Sequence, residues 1–115
     1  MRKLLTVDDE IGICEQIKET FSGLDYEVLM ATNGKEALFI VKKERPEIVF
    51  LDIRMEGMDG LEVLRQIKEF DPAIKVIMLS IANDLDTQNK AKLLGASGFI
   101  KKPFFDKGRS NCEIW

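Results

Sequence analysis

The sequence predicts an α/β fold, a doubly wound five-stranded parallel sheet with helices on both faces. Two observations carry this. Short apolar runs at residues 3–7, 48–51, 76–79 and 99–100 alternate with stretches whose apolar residues recur at helical spacing, the pattern of βαβ units with right-handed crossovers. Each of these runs also ends on polar chemistry: Asp8-Asp9, Asp52, Ser80 and, two residues past Ile100, Lys102. In an open parallel sheet the carboxyl ends of the strands gather on one edge, and ligands bind there. Carboxylates, a hydroxyl and an ammonium meeting at that edge suit a hard divalent cation and a phosphoryl group.

The elements follow in order. Residues 3–7 read as the first strand. Ile13, Ile17 and Phe21 then recur at i, i+4, i+8 with Cys14 alongside, an amphipathic helix. Residues 27–31 are a second short strand. Asn33, with Glu36 three residues later, has the spacing of a capping box, and Ala37, Leu38 and Val41 form the inward face of the helix it opens. Arg45-Pro46 ends that helix, because the residue before proline is driven out of the right-handed α region. Residues 48–51 are almost purely apolar, as expected of a central strand covered on both faces. After the loop Glu56-Gly57-Met58-Asp59-Gly60, the positions of Leu61, Leu64, Ile67 and Phe70 give a third helix that Asp71-Pro72 breaks. Residues 75–79 are a buried strand. Residues 83–94 form a weaker helix with Asp84 as cap and Gly95 as stop, and residues 99–100 are the fifth strand.

At 115 residues, with 45% hydrophobic and 32% charged side chains, the chain fits one globular domain over 1–115, with a core at 3–104 and an atypical tail at 105–115. The net charge of -3 lacks the basic footprint of a nucleic-acid binder. No apolar run approaches the roughly 20 residues that span a bilayer. The apolar start stops at Asp8, too short for a signal peptide, so a cytoplasmic location without membrane association is the expectation. There is no histidine, which excludes His-based acid–base catalysis, Ser-His triads and a phosphohistidine on this chain. Cys14 and Cys112 have no metal-ligand spacing, and Cys14 reads as a small packing residue.

Each polar position has a structural use beside a chemical one. Asp8 or Asp9 can cap the following helix, but Asp8-Asp9-Glu10 directly after a buried strand carries like-charge repulsion that a cation offsets. Asp52 can be a turn residue or a nucleophile, since a carboxylate attacks phosphorus to give an acyl phosphate. Ser80 alone is an ordinary strand-end cap. Lys102 is held against Pro103 and can be aimed, whereas strand alternation sends Lys101 the other way.

Together, Val7-Asp8-Asp9-Glu10, Leu51-Asp52-Ile53-Arg54-Met55, Gly57-Met58-Asp59-Gly60, Leu79-Ser80, Gly95-Ala96 and Phe99-Ile100-Lys101-Lys102-Pro103-Phe104 resemble the receiver domain of two-component response regulators, in order and spacing, from residue 3 to about residue 104. The resemblance implies a flavodoxin-like sheet of order 2-1-3-4-5 and five helices. It implies Asp52 as phosphoacceptor, with Asp9, Asp52 and the backbone carbonyl of Arg54 on Mg2+ and Asp8 joined through water. Ser80 would bond a phosphoryl oxygen, Lys102 would pair with the phosphoryl group, and a cis peptide would precede Pro103. The donor would be a phosphohistidine on a sensor histidine kinase or histidine phosphotransfer protein. Output would pass through a Ser80/Phe99 switch to a downstream protein partner or effector domain.

Departures from the family pattern are also visible. Glu56 replaces a usual proline, and Ile81 a usual small residue beside the phosphoryl site. Arg54 has the reach to affect how water meets the acyl phosphate. The tail supplies at most a ragged helix, so the fifth helix is expected to be short, irregular or missing. Trp115, Ile114 and Phe105 would then pack irregularly or mediate a swapped homodimer. Two competing readings are a receiver-like scaffold that does not phosphorylate and a Mg2+-dependent phosphohydrolase of the haloacid-dehalogenase kind. The second needs an Asp-x-Asp that Asp8-Asp9-Glu10 does not supply.

Overall fold

The structure, a computed structural model, describes residues 2–53, 55, 58–80, 85–101 and 112–114, with residues 80, 101 and 112–114 as backbone. Five strands run parallel: β1 (Arg2–Val7), β2 (Tyr26–Ala31), β3 (Ile48–Asp52), β4 (Lys75–Ser80) and β5 (Gly98–Lys101). Helices α1 (Ile11–Ser22), α2 (Gly34–Glu44), α3 (Gly60–Phe70) and α4 (Leu85–Leu93) alternate with them. The strand order is β2-β1-β3-β4-β5, as the resemblance implies.

Strand alternation divides the core into two layers. Leu5 and Val7 of β1, Val49 and Leu51 of β3, Val76 and Met78 of β4 and Phe99 of β5 face the layer filled by Ala37, Leu38 and Val41 of α2, Val63, Leu64 and Ile67 of α3 and Ala91 of α4. The intervening residues Leu4, Phe50, Leu79 and Ile100 pack on the other face with Ile17 of α1, flanked by Ile13 and Phe21. The rings of Phe21 and Phe50 meet there at 5.2 Å between centroids. Central strands buried on both faces require apolar residues at every position, and that is why β3 and β4 read as nearly unbroken apolar runs.

Helix ends match the expected chemistry with two differences. The Asn33 side chain accepts a hydrogen bond from the Glu36 amide at 2.9 Å, the N-cap the sequence predicts for α2. Asn33→Ala is expected to destabilise the fold by about 1 kcal/mol, measured as a lower urea midpoint at unchanged slope; an unchanged midpoint would mean that water replaces the cap. At the other end of α2, Arg45 leaves the right-handed region, but into the left-handed one (φ 48°, ψ 62°) rather than the extended one usual before proline. The reason is its amide, which donates to Val41 O at 3.0 Å and closes the helix. The residue at the N-cap position of α1 is Glu10 rather than Asp8 or Asp9, and its own side chain makes no cap bond. The start of the fourth helix, Asn83 and Asp84, lies outside the described residues, as do Phe105 and Trp115.

One element was not expected. Residues Cys112–Ile114 form β6, antiparallel to β5, pairing Ile100 with Cys112, Phe99 with Glu113 and Gly98 with Ile114. The fifth helix was expected to be short, irregular or missing, and the last described residues of the tail instead extend the sheet. The outer side of β5 would otherwise present unpaired amides and carbonyls, and β6 satisfies them. Among the described residues there is no fifth helix.

Candidate functional site at the carboxyl edge of the sheet

The order β2-β1-β3 makes the junction of β1 and β3 the topological switch point. The chain leaves β1 toward α1 on one face and reaches β3 from α2 on the other, which opens a crevice beyond the two strand ends. Register fixes what stands at its lip. Val7 pairs with Leu51, so Asp8 follows on one side and Asp52 on the other. Asp52 in turn pairs with Leu79, and Ser80 with Lys101, so the ends of β4 and β5 continue the same edge.

Asp8 is fully buried and Asp52 only 5% exposed, while Asp9 and Glu10 are exposed. Burial of two carboxylates at adjacent strand ends is costly unless each is bonded or offset by positive charge. Asp8 Oδ1 accepts the Glu10 amide at 3.0 Å, and the Asp8 amide donates to Ala31 O at 3.1 Å, which holds the chain in a turn as it leaves β1. That turn lets adjacent aspartates reach one place. Carboxylate oxygens of Asp8, Asp9 and Glu10 lie within 4.8 Å of one another, an all-oxygen donor set suited to a hard divalent cation such as Mg2+. Asp52, at the end of the neighbouring strand β3, is outside that group of three. Cys14 is buried beneath, its Sγ 3.7 Å from Asp8 O, in the packing role expected of it.

The end of β3 is held on both sides. The Ile53 amide donates to Leu79 O at 3.0 Å, and the Gly60 amide donates to Ile53 O at 3.0 Å. Asp59 caps α3 by accepting the Leu61 amide at 3.0 Å. Phe99 is buried (3% exposed) within the layer that includes Met78, Ala91 and Ala96.

Of the site residues expected from sequence, Asp8 and Asp9 lie in one carboxylate group after β1, Asp52 ends the adjacent strand β3, and the backbone of Ser80 lies further along the same edge. Arg54, Glu56, Ile81, Lys102 and Pro103 lie outside the described residues. Two contributors were not assigned a role from sequence. Glu10 joins the carboxylate group, for which its place in the acidic triplet was the signal. Gly60 supports the Asp52 backbone, and no sequence pattern reveals that contact.

The chain matches the response regulator receiver domain family over residues 4–109. It is 43% identical over 102 residues to sporulation initiation phosphotransferase F of Bacillus subtilis, covering 89% of this chain and 82% of that protein. It is 45% identical over 105 residues to chemotaxis protein CheY of Listeria monocytogenes, covering 90% and 88%. Against the longer transcriptional regulatory protein ZraR of Klebsiella oxytoca, at 39% identity, it spans 24% of that protein's length. Among solved structures, CheY4 of Vibrio cholerae superposes with a TM-score of 0.85 at 31% identity, covering 90% of this chain and 88% of the other. Fold and site together define a flavodoxin-like domain with an acidic crevice at its switch point. The chain belongs to the receiver domain family of two-component response regulators.

Receiver domains are signalling switches rather than classical enzymes, and they bind Mg2+ through acidic residues. Among the described residues, no helix is long and apolar enough to cross a membrane.

Proposed function

We propose that this domain accepts a phosphoryl group on Asp52 from a phosphohistidine of a sensor histidine kinase or histidine phosphotransfer protein, in a Mg2+-dependent reaction. The observation that supports it best is the β1/β3 crevice, where the buried Asp52 ends β3 beside the end of β1, from which Asp8, Asp9 and Glu10 follow as one carboxylate group. When bound, Mg2+ supplies charge neutralisation for the phosphoryl oxygens. The reading gives the metal to Asp9, Asp52 and the Arg54 carbonyl, with Asp8 through water, and the observed cluster adds Glu10.

The chain's own residues do the rest. An Asp52 carboxylate oxygen attacks phosphorus in line with the donor imidazole. The P–O bond forms as the P–N bond breaks; its electron pair goes to the ring nitrogen, which takes up a proton. Asp52 is pre-positioned, because β3 is hydrogen-bonded to both β1 and β4 and its last peptide is held by Gly60 and Leu79. This removes most of the orientational cost of the transfer. Lys102 pairs with the phosphoryl group in a loose transition state, and Ser80 bonds one of its oxygens. Water later attacks phosphorus, the acyl phosphate P–O bond breaks, and Asp52 is regenerated. Ser80, drawn toward the phosphoryl group, changes the space around Phe99, whose packing carries the signal to a downstream partner or effector domain.

The test is intact-mass spectrometry after incubation with Mg2+ and acetyl phosphate. The expected product is one phosphoryl adduct that hydroxylamine removes and that does not form when the metal is chelated. An unmodified mass in a folded protein would favour the scaffold reading, and steady turnover of a generic phosphate ester would favour the phosphohydrolase.

A further inference from the structure

We propose that Gly60 is a positioning residue for the phosphoacceptor: because it has no side chain, the first turn of α3 closes onto the main chain of Asp52 and Ile53 and fixes where the Asp52 carboxylate sits. This rests on the reading of Asp52 as acceptor and extends it to a residue that carries no functional group.

A Cβ at Gly60 would lie 2.2 Å from Asp52 O, 2.7 Å from Ile53 Cα and 2.7 Å from Ile53 O. All three are backbone atoms, so no change of rotamer relieves the clash. Carbon atoms reach their best contact near about 3.5 Å, so α3 and the end of β3 must part by about 1 Å to admit a methyl group. Conformational freedom is not what selects glycine here: Gly60 opens a regular helix, and Gly95 is the described glycine with a positive φ. Close approach selects it. The approach is locked by the Gly60 amide on Ile53 O and the Ile53 amide on Leu79 O, each at 3.0 Å, so the peptide after Asp52 is clamped between α3 and β4. Displacing that clamp moves the carboxylate away from the line of attack.

Gly34 separates this role from mere packing. A Cβ there would lie 2.9 Å from Met58 Cβ and 2.9 Å from Val63 Cγ2, crowding α2 against α3 and the residue before its cap, with no backbone atom of Asp52 among its near neighbours. Gly34→Ala therefore strains the same helix pair without touching the acceptor strand. At Gly12 a Cβ meets nothing within 4 Å, which makes Gly12→Ala a control for glycine replacement itself.

The experiment compares phosphorylation rates with acetyl phosphate and saturating Mg2+ for the wild type, Gly60→Ala, Gly34→Ala and Gly12→Ala. Sucrose is added to favour the folded state, and each rate is divided by the folded fraction from circular dichroism. Gly60→Ala is expected to react about 10- to 100-fold more slowly per folded molecule, the usual consequence of an ångström-scale misplacement. Gly34→Ala and Gly12→Ala are expected to keep the wild-type rate. Equal losses in Gly60→Ala and Gly34→Ala, or no loss in Gly60→Ala, would overturn the proposal. If Gly60→Ala does not fold even in sucrose, amide hydrogen exchange on the wild type decides. The Ile53 and Gly60 amides are expected to exchange only through global unfolding, and fast local exchange would overturn the clamp. A wild type that takes no phosphoryl group overturns the acceptor reading instead, and the exchange result still decides whether the clamp exists.

Discussion

Asp52→Asn is expected to take up no phosphoryl group from acetyl phosphate and Mg2+, and to melt at a higher temperature than the wild type when divalent cations are absent. The first outcome follows from chemistry. An amide oxygen is a far weaker nucleophile than a carboxylate and yields no stable acyl phosphate. Asparagine keeps the shape of Asp52, which is 5% exposed in a packed strand end, so the fold is retained. The second outcome follows from charge. In metal-free buffer Asp52 ends β3 beside the end of β1, where the buried Asp8 and the carboxylates of Asp9 and Glu10 follow. Removing one negative charge relieves repulsion between groups that are poorly screened by water, a gain of about 1 kcal/mol at the effective dielectric of such sites. Added Mg2+ should therefore raise the melting temperature of the wild type more than that of the variant, because the variant has lost part of the charge that favours the ion. Intact-mass spectrometry and paired melts with and without MgCl2 read both effects. Labelling of Asp52→Asn at the wild-type level would move the acceptor elsewhere, with Asp8 the nearest candidate. A lower metal-free melting temperature would show that the Asp52 charge is compensated within the protein.

How much of this was legible from sequence varies with the physics of each element. The central strands were plain, because burial on both faces leaves only apolar residues between Ile48 and Leu51 and between Val76 and Leu79. The acids at their ends were equally plain, since a carboxylate directly after such a run has few structural reasons to be there. The fourth helix was faint for a visible reason: Ala91 is its one buried residue, and Leu85 and Leu93 are exposed, so it hardly shows an apolar stripe. Strand–helix alternation, rather than its own periodicity, revealed it. β6 was illegible because three residues cannot display a period, and its partner is the edge of β5, an interaction of backbone rather than side chains. Arg45 was half legible. The following proline excludes the right-handed region, but the choice of the left-handed one depends on a bond to Val41 O that only the finished helix offers. Gly60 was hidden for the same kind of reason: sequence shows a glycine in a loop, while its meaning lies in backbone atoms eight residues away.

Leu51→Ala is the core substitution expected to cost most, and it separates stability from chemistry at this site. Leu51 has no exposed surface and sits in the middle of the sheet, paired with Val7 of β1 and Met78 of β4. Its side chain belongs to the layer filled by Val63 and Leu64 of α3, a region close-packed from the sheet outward. Truncation removes buried methyl groups and leaves a cavity that the neighbouring strands, fixed by their ladders, cannot close. The expected loss is about 3 kcal/mol or more, against a total of about 5–15 kcal/mol for a domain of ordinary stability. A melting temperature lower by about 10 °C or more is the corresponding shift. Leu93→Ala, at a leucine 87% exposed, should stay within about 0.5 kcal/mol of the wild type. Although Leu51 immediately precedes the acceptor, phosphorylation per folded Leu51→Ala molecule should stay close to that of the wild type. The Asp52 main chain is set by β-ladder bonds and by the approach of Gly60, and neither involves the Leu51 side chain. Loss of stability and of intrinsic rate together would mean that core packing, rather than the backbone clamp, aims the carboxylate. Loss of stability alone places the aim of Asp52 in the main chain that surrounds it.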